Sequence, residues 1–238
     1  MEFRNAFLSL MEASDIEALS PYLRENTLFR GQTLAASGEI VTQVYFPSSS
    51  AIGMASAMHD GRAVQTATIG FENVAGLLPG LTHVACPSRM FVQIGGGAIS
   101  LPAEKLRGRA EVSPGLMRLI LRFAQARAAQ AEQTAACNAL HALPGKLARW
   151  LLICDDRVHQ PSMTLTQDDM AVMCGALRGS ISLTAGEFQR EGLIRYRRGL
   201  IEILDRPRLE RQACECYAGD RASWGHLSAA GSNRDLAA

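Results

Sequence analysis

The sequence predicts an α+β fold: an N-terminal jelly-roll β-barrel, then a long helix, then a C-terminal winged helix-turn-helix. In residues 28–101, short apolar runs alternate with Gly, Pro, Asp and Ser, which is typical of strands and turns. Residues 111–140 hold no proline after Pro114, which favours one long helix. Residues 165–203 hold two short helical patterns, a glycine turn and a hairpin, in the order of a winged helix-turn-helix.

The composition describes a globular protein. The chain has 238 residues, of which 47% are hydrophobic and 20% charged, and its net charge is only +1. This balance excludes binding to nucleic acid through a general positive field, so such binding must use a local basic patch. No apolar run reaches the roughly 20 residues of a membrane span, and the N-terminus lacks the basic leader of a signal peptide. We therefore expect a cytoplasmic protein with no membrane partner.

Changes in residue pattern divide the chain into four predicted segments. These are a β-rich domain over residues 1–110, a long helix over 111–141, a winged helix-turn-helix over 142–213 and a flexible tail over 214–238. The tail is predicted because the residues after Tyr217 are small, polar and nonperiodic. In the β-rich domain, Asp60-Gly61 is the clearest hairpin turn, and the strand pattern fits either a β-sandwich or a jelly-roll barrel.

The predicted long helix changes character along its length, from large apolar residues to a stripe of small ones. The two sets are Leu116, Leu119, Ile120 and Phe123, followed by Ala124, Ala128, Ala131 and Ala135. A helix of roughly 25 residues makes a rod of roughly 38 Å, longer than most helices of globular proteins. It can pack on its own domain or on a two-fold partner. We favour a homodimer, because small residues allow two helices to approach closely.

The first helix of the helix-turn-helix has clear boundaries in the sequence. Thr166 is a good N-cap, and Asp169, three residues later, forms a variant of the capping box in which an Asp replaces the usual Glu. Gly175 ends the helix, and the three residues from Gly175 to Leu177 have the length of the turn in this motif.

The second helix and a basic wing follow directly. An inward-facing apolar stripe marks the helix: Ile181, Ala185 and Phe188. Gly192 is placed as the glycine that ends it. In residues 194–203, apolar and polar residues then alternate on both sides of Arg198-Gly199. This pattern indicates a hairpin with basic residues at its tip. Helix, turn, helix and wing together predict a module that binds duplex DNA.

The six cysteines give no sign of a disulfide framework. They stand at positions 86, 137, 154, 174, 214 and 216, and their spacing contains no CxxC pair. Cys154 and Cys174 lie on apolar helix faces, so we expect them to be buried core residues. Cys214-Glu215-Cys216 is the only close pair, and no second pair or nearby histidine in the sequence completes a metal site. The sequence therefore predicts no metal and no cofactor, and it leaves open whether Cys214 and Cys216 have a redox or metal role.

In this order, these features resemble the Crp/Fnr type of transcription regulator, from Leu10 to Tyr217. The strings that carry the resemblance are VYFP (44–47), IGFENVAG (69–76), AACNALH (135–141), KLARWLL (146–152), LTQDDMAVMCGALR (165–178), EGLIRYRRGLIEILD (191–205) and LERQACECY (209–217). The resemblance implies a homodimer with cyclic-nucleotide-binding-like sensor domains and a long dimerisation helix. Each recognition helix would enter a major groove of double-stranded DNA.

The resemblance also implies a ligand pocket in the sensor domain, at Gly70, Glu72, Gly76, Leu77 and Arg89. Family members that bind cyclic AMP hold its ribose with a Gly-Glu pair and its phosphate with an arginine followed by Ser or Thr. The chemistry requires this, because a buried anion needs a strong cationic partner. Here Leu77 follows Gly76, in the place of the family's glutamate. Arg89 lies a few residues after the position where the family has its phosphate-binding arginine. We therefore expect an unknown small-molecule effector, or none, rather than cyclic AMP.

The DNA contacts that the resemblance implies centre on the second helix. Arg178 matches the arginine that family members place at the start of this helix, where it suits bidentate contact with guanine. Gly179 and Leu183 stand where the family often has Glu and Arg. Basic side chains suited to phosphates are Arg195, Arg197, Arg198, Lys146 and Arg149. The predicted DNA-binding residues are Thr166, Gln167, Arg178, Gly179, Ser180, Ser182, Leu183, Arg197 and Arg198.

The sequence thus predicts a homodimeric DNA-binding transcription regulator, with RNA polymerase as a further partner that the resemblance implies. The alternative is a ligand- or protein-binding module that keeps the fold without sequence-specific DNA binding, which Gly179 and Leu183 motivate. An enzyme is not expected, because His59, Asp60 and Glu72 provide no nucleophile–base pair or metal set. The effector, the operator and the sign of regulation stay open.

Overall fold

The computed structural model describes residues 3–229, with side chains through residue 222. Within that range the strands are β1 (Arg24–Leu28), β2 (Thr33–Ala35), β3 (Gln43–Pro47), β4 (Ala51–Ala57), β5 (Ala63–Ile69), β6 (Arg89–Ile94), β7 (Gly96–Pro102), β8 (Met163–Thr164), β9 (Ile194–Arg197) and β10 (Leu200–Ile203). The helices are α1 (Ala6–Leu10), α2 (Ala13–Leu19), α3 (Leu77–Thr82), α4 (Ala103–Val112), α5 (Pro114–Leu140), α6 (Leu143–Val158), α7 (Gln167–Cys174), α8 (Arg178–Arg190), α9 (Arg206–Gln212) and α10 (Cys216–Ala229).

Two antiparallel sheets form the N-terminal domain. One has the strand order β1-β7-β3 and the other the order β2-β6-β4-β5. The chain crosses between them at residues 48–50, before β4, and at Gly95-Gly96, before β7. At the first crossing, three serine amides donate to the carbonyl of Gly97, at 2.9, 3.2 and 3.3 Å. A Cβ on Gly96 would lie 2.4 Å from the carbonyl oxygen of Ser49, so only glycine fits at the second crossing.

The predicted α+β fold class is confirmed, but the closed barrel is wrong. Both sheets contribute to one core, for example through Leu28, Ile52 and Met90, yet they remain separate open layers. The bridges outside the named strands are isolated pairs, such as Tyr45 with Ala75. Sequence alternation could not decide between sandwich and barrel, because it describes the two faces of each strand and not the closure of a sheet.

The turns predicted from glycine are confirmed. Asp60-Gly61 joins β4 to β5, with Gly61 at φ +85°. Gly175 ends α7 in the left-handed conformation, at φ +59°, and Gly192 follows α8 at φ +72°. Arg198 and Gly199 both have positive φ, +51° and +81°, as the two-residue turn between β9 and β10 requires.

The helix α5 has 27 residues, which corresponds to a rod of about 40 Å. One side packs within its own domain, where Phe123 meets Phe7 edge-to-face with ring centroids 5.0 Å apart. The other side is exposed, and Leu121, Ala128 and Ala135 lie on it. The helix therefore stabilises its own domain along one face and leaves a stripe of mostly small residues in contact with solvent.

The C-terminal domain packs helices on the small sheet β8-β10-β9. Trp150 of α6, Ile181 of α8 and Ile201 of β10 are fully buried in its core. Cys154 and Cys174 are buried in the same core, as predicted.

A helix occupies the start of the predicted flexible tail. Tyr217 and Asp220, near the beginning of α10, are both buried. Asp220 accepts a 2.8 Å hydrogen bond from Arg149 of α6, and Tyr217 donates one of 2.8 Å to Asp156. These contacts correct the tail prediction for residues 216–229, because the partners that order the helix lie far away in sequence. Residues 230–238 of the predicted tail lie outside the described residues.

Candidate nucleic-acid interface and sensor-domain cavity

A complete capping box fixes the start of α7. Thr166 Oγ1 accepts the Asp169 amide at 3.2 Å, and the Asp169 carboxylate accepts the Thr166 amide at 2.7 Å. The Thr166 hydroxyl also donates to that carboxylate at 2.8 Å. The side chain of Thr166, a predicted DNA contact, is therefore engaged within the cap. The turn of the wing lies beside it, since a Cβ on Gly199 would be 3.5 Å from the Thr166 methyl group.

Three predicted DNA-binding residues lie together where α8 begins. The Gln167 amide donates to the Ser182 hydroxyl at 3.2 Å, and Arg178 Nε lies 3.5 Å from Gln167 Oε1. The Arg178 side chain is 67% exposed and lies 3.5 Å from the equally exposed Asp168. Arg178 is the first residue of the helix, where the helix dipole disfavours a cation. Helix stability therefore does not explain an arginine at this position.

The first turn of α8 has no side-chain cap. Its N-cap residue, Leu177, makes no capping hydrogen bond, so the amides of this turn are available to an anion such as a phosphate. Gly179 and Ser180 are exposed in the same turn.

The second turn of α8 presents small and apolar residues outward. Ser182 is exposed, and Leu183 is 72% exposed. Leu177, just before the helix, is 79% exposed and was not among the predicted contacts, because the sequence pattern assigned it to the turn. Exposed leucines on a reading helix suit apolar contact with a thymine methyl group.

The wing carries an exposed positive charge at its tip. Arg197 and Arg198 are exposed, and no ion pair is found for either within the described part of the chain. Arg195, by contrast, pairs with Glu202 across the hairpin at 2.6 Å. Arg197 and Arg198 are therefore the wing cations best placed to meet phosphates.

Two of the basic residues considered for phosphate contact are buried instead. Lys146 donates to the carbonyl of Cys174 at 3.1 Å, and Arg149 pairs with Asp220. The interpretation of Lys146 and Arg149 as phosphate ligands is therefore wrong. Both lie on buried positions of α6, where they bind polar groups of the protein itself.

A buried ion pair joins the two domains. Arg157 of α6 donates to Glu72, which follows β5, at 2.6 Å, and both side chains are almost fully buried. A Cβ on Gly70 would lie 2.5 Å from Arg157 Cβ, so Gly70 allows the close approach of α6. Gly70 and Glu72 thus contact the C-terminal domain.

Two further contacts hold the domains together. The Gln160 amide donates to the carbonyls of Ser49 and Gly95, at 3.2 Å each. Arg30, just after β1, pairs with Asp169, the residue that completes the cap of α7. The first helix of the helix-turn-helix is therefore tied directly to the N-terminal domain.

The five residues of the predicted ligand pocket do not form one site. Gly76 and Leu77 line a cavity of about 320 Å³ in the N-terminal domain, but Gly70, Glu72 and Arg89 do not. Arg89 is exposed on the outer side of β6, with its guanidinium 4.9 Å from the centre of the Phe91 ring. The structure corrects this prediction.

The cavity is mostly apolar but holds one basic residue, Arg127 of α5. Arg127 Nη1 is buried, and no hydrogen-bond partner for it is found among the described residues; the same holds for Asn73 Nδ2. Burial and the nearby charge of Arg157 lower the pKa of Arg127 to about 10, so the side chain stays charged at neutral pH. An unpaired cation at an apolar cavity suits an anionic ligand. No pattern in the sequence marks Arg127, which stands among alanines of the long helix.

The structure also changes the surroundings of the Cys214-Cys216 pair. Cys137 and His141, at the end of α5, lie next to these two cysteines. The prediction of no metal site assumed that no further thiol or histidine was near, and this assumption is wrong.

Comparison with known proteins matches one domain of the chain and one relative along most of its length. Residues 145–212 match the Crp-like helix-turn-helix domain. The CRP-like cAMP-activated global transcriptional regulator of Mycobacterium tuberculosis is 27% identical over 218 residues, which cover 85% of this chain and 94% of that protein. These two matches support a Crp/Fnr-type transcription regulator. The named relatives are described as transcriptional regulators.

Two solved structures share the fold. FixK2 of Bradyrhizobium japonicum superposes with a TM-score of 0.69 at 17% identity, covering 81% of this regulator and 98% of FixK2. A protein of Eubacterium rectale assigned to the Crp/Fnr family gives a TM-score of 0.68 at 18% identity, covering 85% and 94% of the two chains. No helix in the described part of the regulator is both long and apolar enough to span a membrane.

Proposed function

We propose that this Crp/Fnr regulator acts as a homodimer that binds double-stranded DNA, with α8 in the major groove and the wing on the backbone. The observation that carries the proposal is the contact of exposed Arg178 and Ser182, in the first turns of α8, with the half-buried Gln167 of α7. Arginine at this point of a recognition helix suits the O6 and N7 acceptors of guanine. The uncapped first turn and Arg198 add contacts to phosphates.

The exposed face of α5 supports the proposed dimerisation. Leu121, Ala128 and Ala135 recur there at helical spacing. Small side chains let two helices pack closely, and a two-fold axis along α5 would place two recognition helices for two half-sites.

The effector we propose is a small anion other than cyclic AMP, bound in the cavity at Arg127. Leu77 offers no acceptor for a ribose hydroxyl, and Arg89 lies outside the cavity. Cyclic AMP added to the purified protein should therefore leave its melting temperature unchanged, and a rise of several degrees would contradict this part of the proposal.

The DNA-binding proposal is tested by selection on random duplex DNA, followed by gel-shift assays of variants on the selected site. Arg178→Ala should lose about 1–3 kcal/mol of discrimination at one guanine position. Arg198→Ala should weaken binding to all sequences. It should also reduce, by about 1, the slope of the logarithm of the binding constant against the logarithm of the salt concentration. Arg62→Ala, which removes an exposed arginine from the β4–β5 hairpin, is the matched control and should change neither.

The second candidate is a ligand- or protein-binding module that keeps the fold without reading DNA, since Gly179 and Leu183 offer no hydrogen-bonding side chain for a base at their positions of α8. Absence of DNA binding at low salt would favour this candidate. So would capture of a protein partner that is insensitive to Arg178→Ala and Arg198→Ala.

A further inference from the structure

Four metal-binding side chains converge where α5 ends and α10 begins. Cys137 and His141 come from the last turn of α5 and its C-cap. Cys214 lies in the link between α9 and α10, and Cys216 is the first residue of α10. One ligand atom from each of the four lies within 4.8 Å of all the others. Two segments more than seventy residues apart in sequence therefore supply a Cys₃His set.

The distances match a tetrahedral zinc site. Cys137 Sγ lies 3.6 Å from Cys214 Sγ, and Cys216 Sγ lies 3.5 Å from His141 Nδ1. Zinc bonds of about 2.3 Å to sulfur and about 2.0 Å to nitrogen give tetrahedral edges of about 3.8 Å between sulfurs and about 3.5 Å between sulfur and nitrogen. An iron–sulfur cluster would spread its thiolates over several irons, which a group this compact does not allow.

The surroundings also resemble those of a zinc site. His141 turns Nδ1 toward the thiols, and its Nε2 lies 3.0 Å from Glu215 Oε1. A carboxylate on the far nitrogen of a ligand histidine fixes the orientation and tautomer of the ring. The Gln133 amide donates to Cys216 Sγ at 2.9 Å, as hydrogen-bond donors do around zinc thiolates.

The four side chains differ in solvent exposure, and this difference allows a metal ion to enter. Cys137 and Cys216 are almost completely buried, whereas Cys214 and His141 are partly exposed. A metal ion can therefore reach the site from solvent and displace the thiol protons, and would then be shielded on its inner side.

We propose that Cys137, His141, Cys214 and Cys216 bind one Zn²⁺ ion in a closed tetrahedral site. The ion clamps the start of α10 to the end of α5, at the point where the chain turns into α6 and the C-terminal domain. All four positions are filled by protein side chains, so the site is structural and holds no reacting water. It goes beyond the proposed DNA binding and does not depend on it.

The test is metal analysis of the full-length protein, purified under reducing conditions. We expect about one Zn²⁺ per chain, and Co²⁺ in its place should give the thiolate charge-transfer and d–d absorption of tetrahedral cobalt. Cys214→Ser should lose the metal and this spectrum. Glu215→Gln, an exposed change that leaves all four ligands in place, should weaken Co²⁺ affinity about tenfold.

Cys86→Ser is the matched control, because Cys86 is a buried thiol of the N-terminal domain that is remote from the set. It should keep the full metal content. The proposal is overturned if the reduced wild-type protein binds neither ion. A disulfide between Cys137 and Cys214 in freshly purified protein, or equal metal loss in Cys86→Ser and Cys214→Ser, would also overturn it. None of these readouts involves DNA, so failure of the proposed DNA binding would leave the result intact.

Discussion

The side chains of Glu72 and Arg157 form a direct contact between the two domains. Their ion pair is almost fully buried, and each keeps one polar atom, Glu72 Oε2 and Arg157 Nη1, with no partner found among the described residues. A pair of this kind adds little net stability relative to apolar residues of the same size. Loss of one member is costly, because the other charge stays buried.

Arg157→Met should therefore lower the free energy of unfolding by about 3–5 kcal/mol. Urea denaturation measures the loss. The control is Arg195→Met, since the Arg195–Glu202 pair lies on the exposed wing and should contribute about 0–1 kcal/mol. The double variant Glu72→Leu with Arg157→Met should recover much of the loss, and an equal effect of Arg157→Met and Arg195→Met would contradict the argument.

The core thiols lead to a second prediction at this scale. Burial raises the pKa of both Cys154 and Cys174 to about 12. A thiol reacts as its thiolate, which is lost below the pKa, so at pH 8 only about one molecule in 10⁴ is reactive at either position. Iodoacetamide at pH 8 should leave both residues unmodified in the folded protein and modify them after denaturation, as peptide mass spectrometry would show. Modification of Cys154 in the folded state would contradict this prediction.

The two faces of the helix α5 have different surroundings. Its inner face is part of the sensor-domain core through Phe123 and Ile120, and Arg127 reaches the cavity from the same helix. Its outer face carries the exposed stripe with Ala128. A ligand at Arg127 would therefore bind to the same rigid rod that we propose to form the dimer interface.

Ala128→Glu should convert the proposed dimer into a monomer, because a two-fold axis would bring two like charges together in a closely packed interface. Light scattering coupled to size-exclusion chromatography measures the mass. Gly108→Glu adds the same charge at an exposed position of α4 with open space around it, and should leave the mass unchanged. A wild-type protein that is monomeric at micromolar concentration would contradict dimerisation itself.

At the scale of the whole molecule, the two domains form one packed unit. Arg30 binds Asp169, Gln160 binds the crossing between the sheets, and α10 returns to α5. The recognition helix α8 is outside all of these contacts and stays exposed. The N-terminal domain therefore touches the first helix of the helix-turn-helix and makes none of these contacts with α8.

Metal removal should loosen this unit at α10. A ligand at a thousandfold excess over its Kd stabilises a fold by about 4 kcal/mol, so chelation should lower the melting temperature by about 10 °C. Differential scanning calorimetry with and without a chelator measures the shift. Cys214→Ser should melt at the same temperature under both conditions. A chelator effect of equal size in that variant would show that the stabilising ion binds elsewhere.

The local signals of the sequence predicted the elements well. Thr166, Gly175 and Arg198-Gly199 act within a few residues of themselves, and the cap, the helix end and the wing turn lie where these residues predict. The spacing of apolar residues likewise predicted a long helix where α5 lies. The DNA contacts proposed for Arg178 and Arg198 stay predictions, although both side chains are exposed as such contacts need.

What the sequence by itself determined is therefore the series of elements, since caps, turn glycines and helical stripes depend on neighbours a few residues away. Only the tertiary structure decided which distant groups meet. It separated Arg89 from Gly76, paired Glu72 with Arg157, and brought Cys137 and His141 to Cys214 and Cys216. The physical reason is that these contacts arise when buried faces of different elements pack together, and no pattern within a single element records its partner.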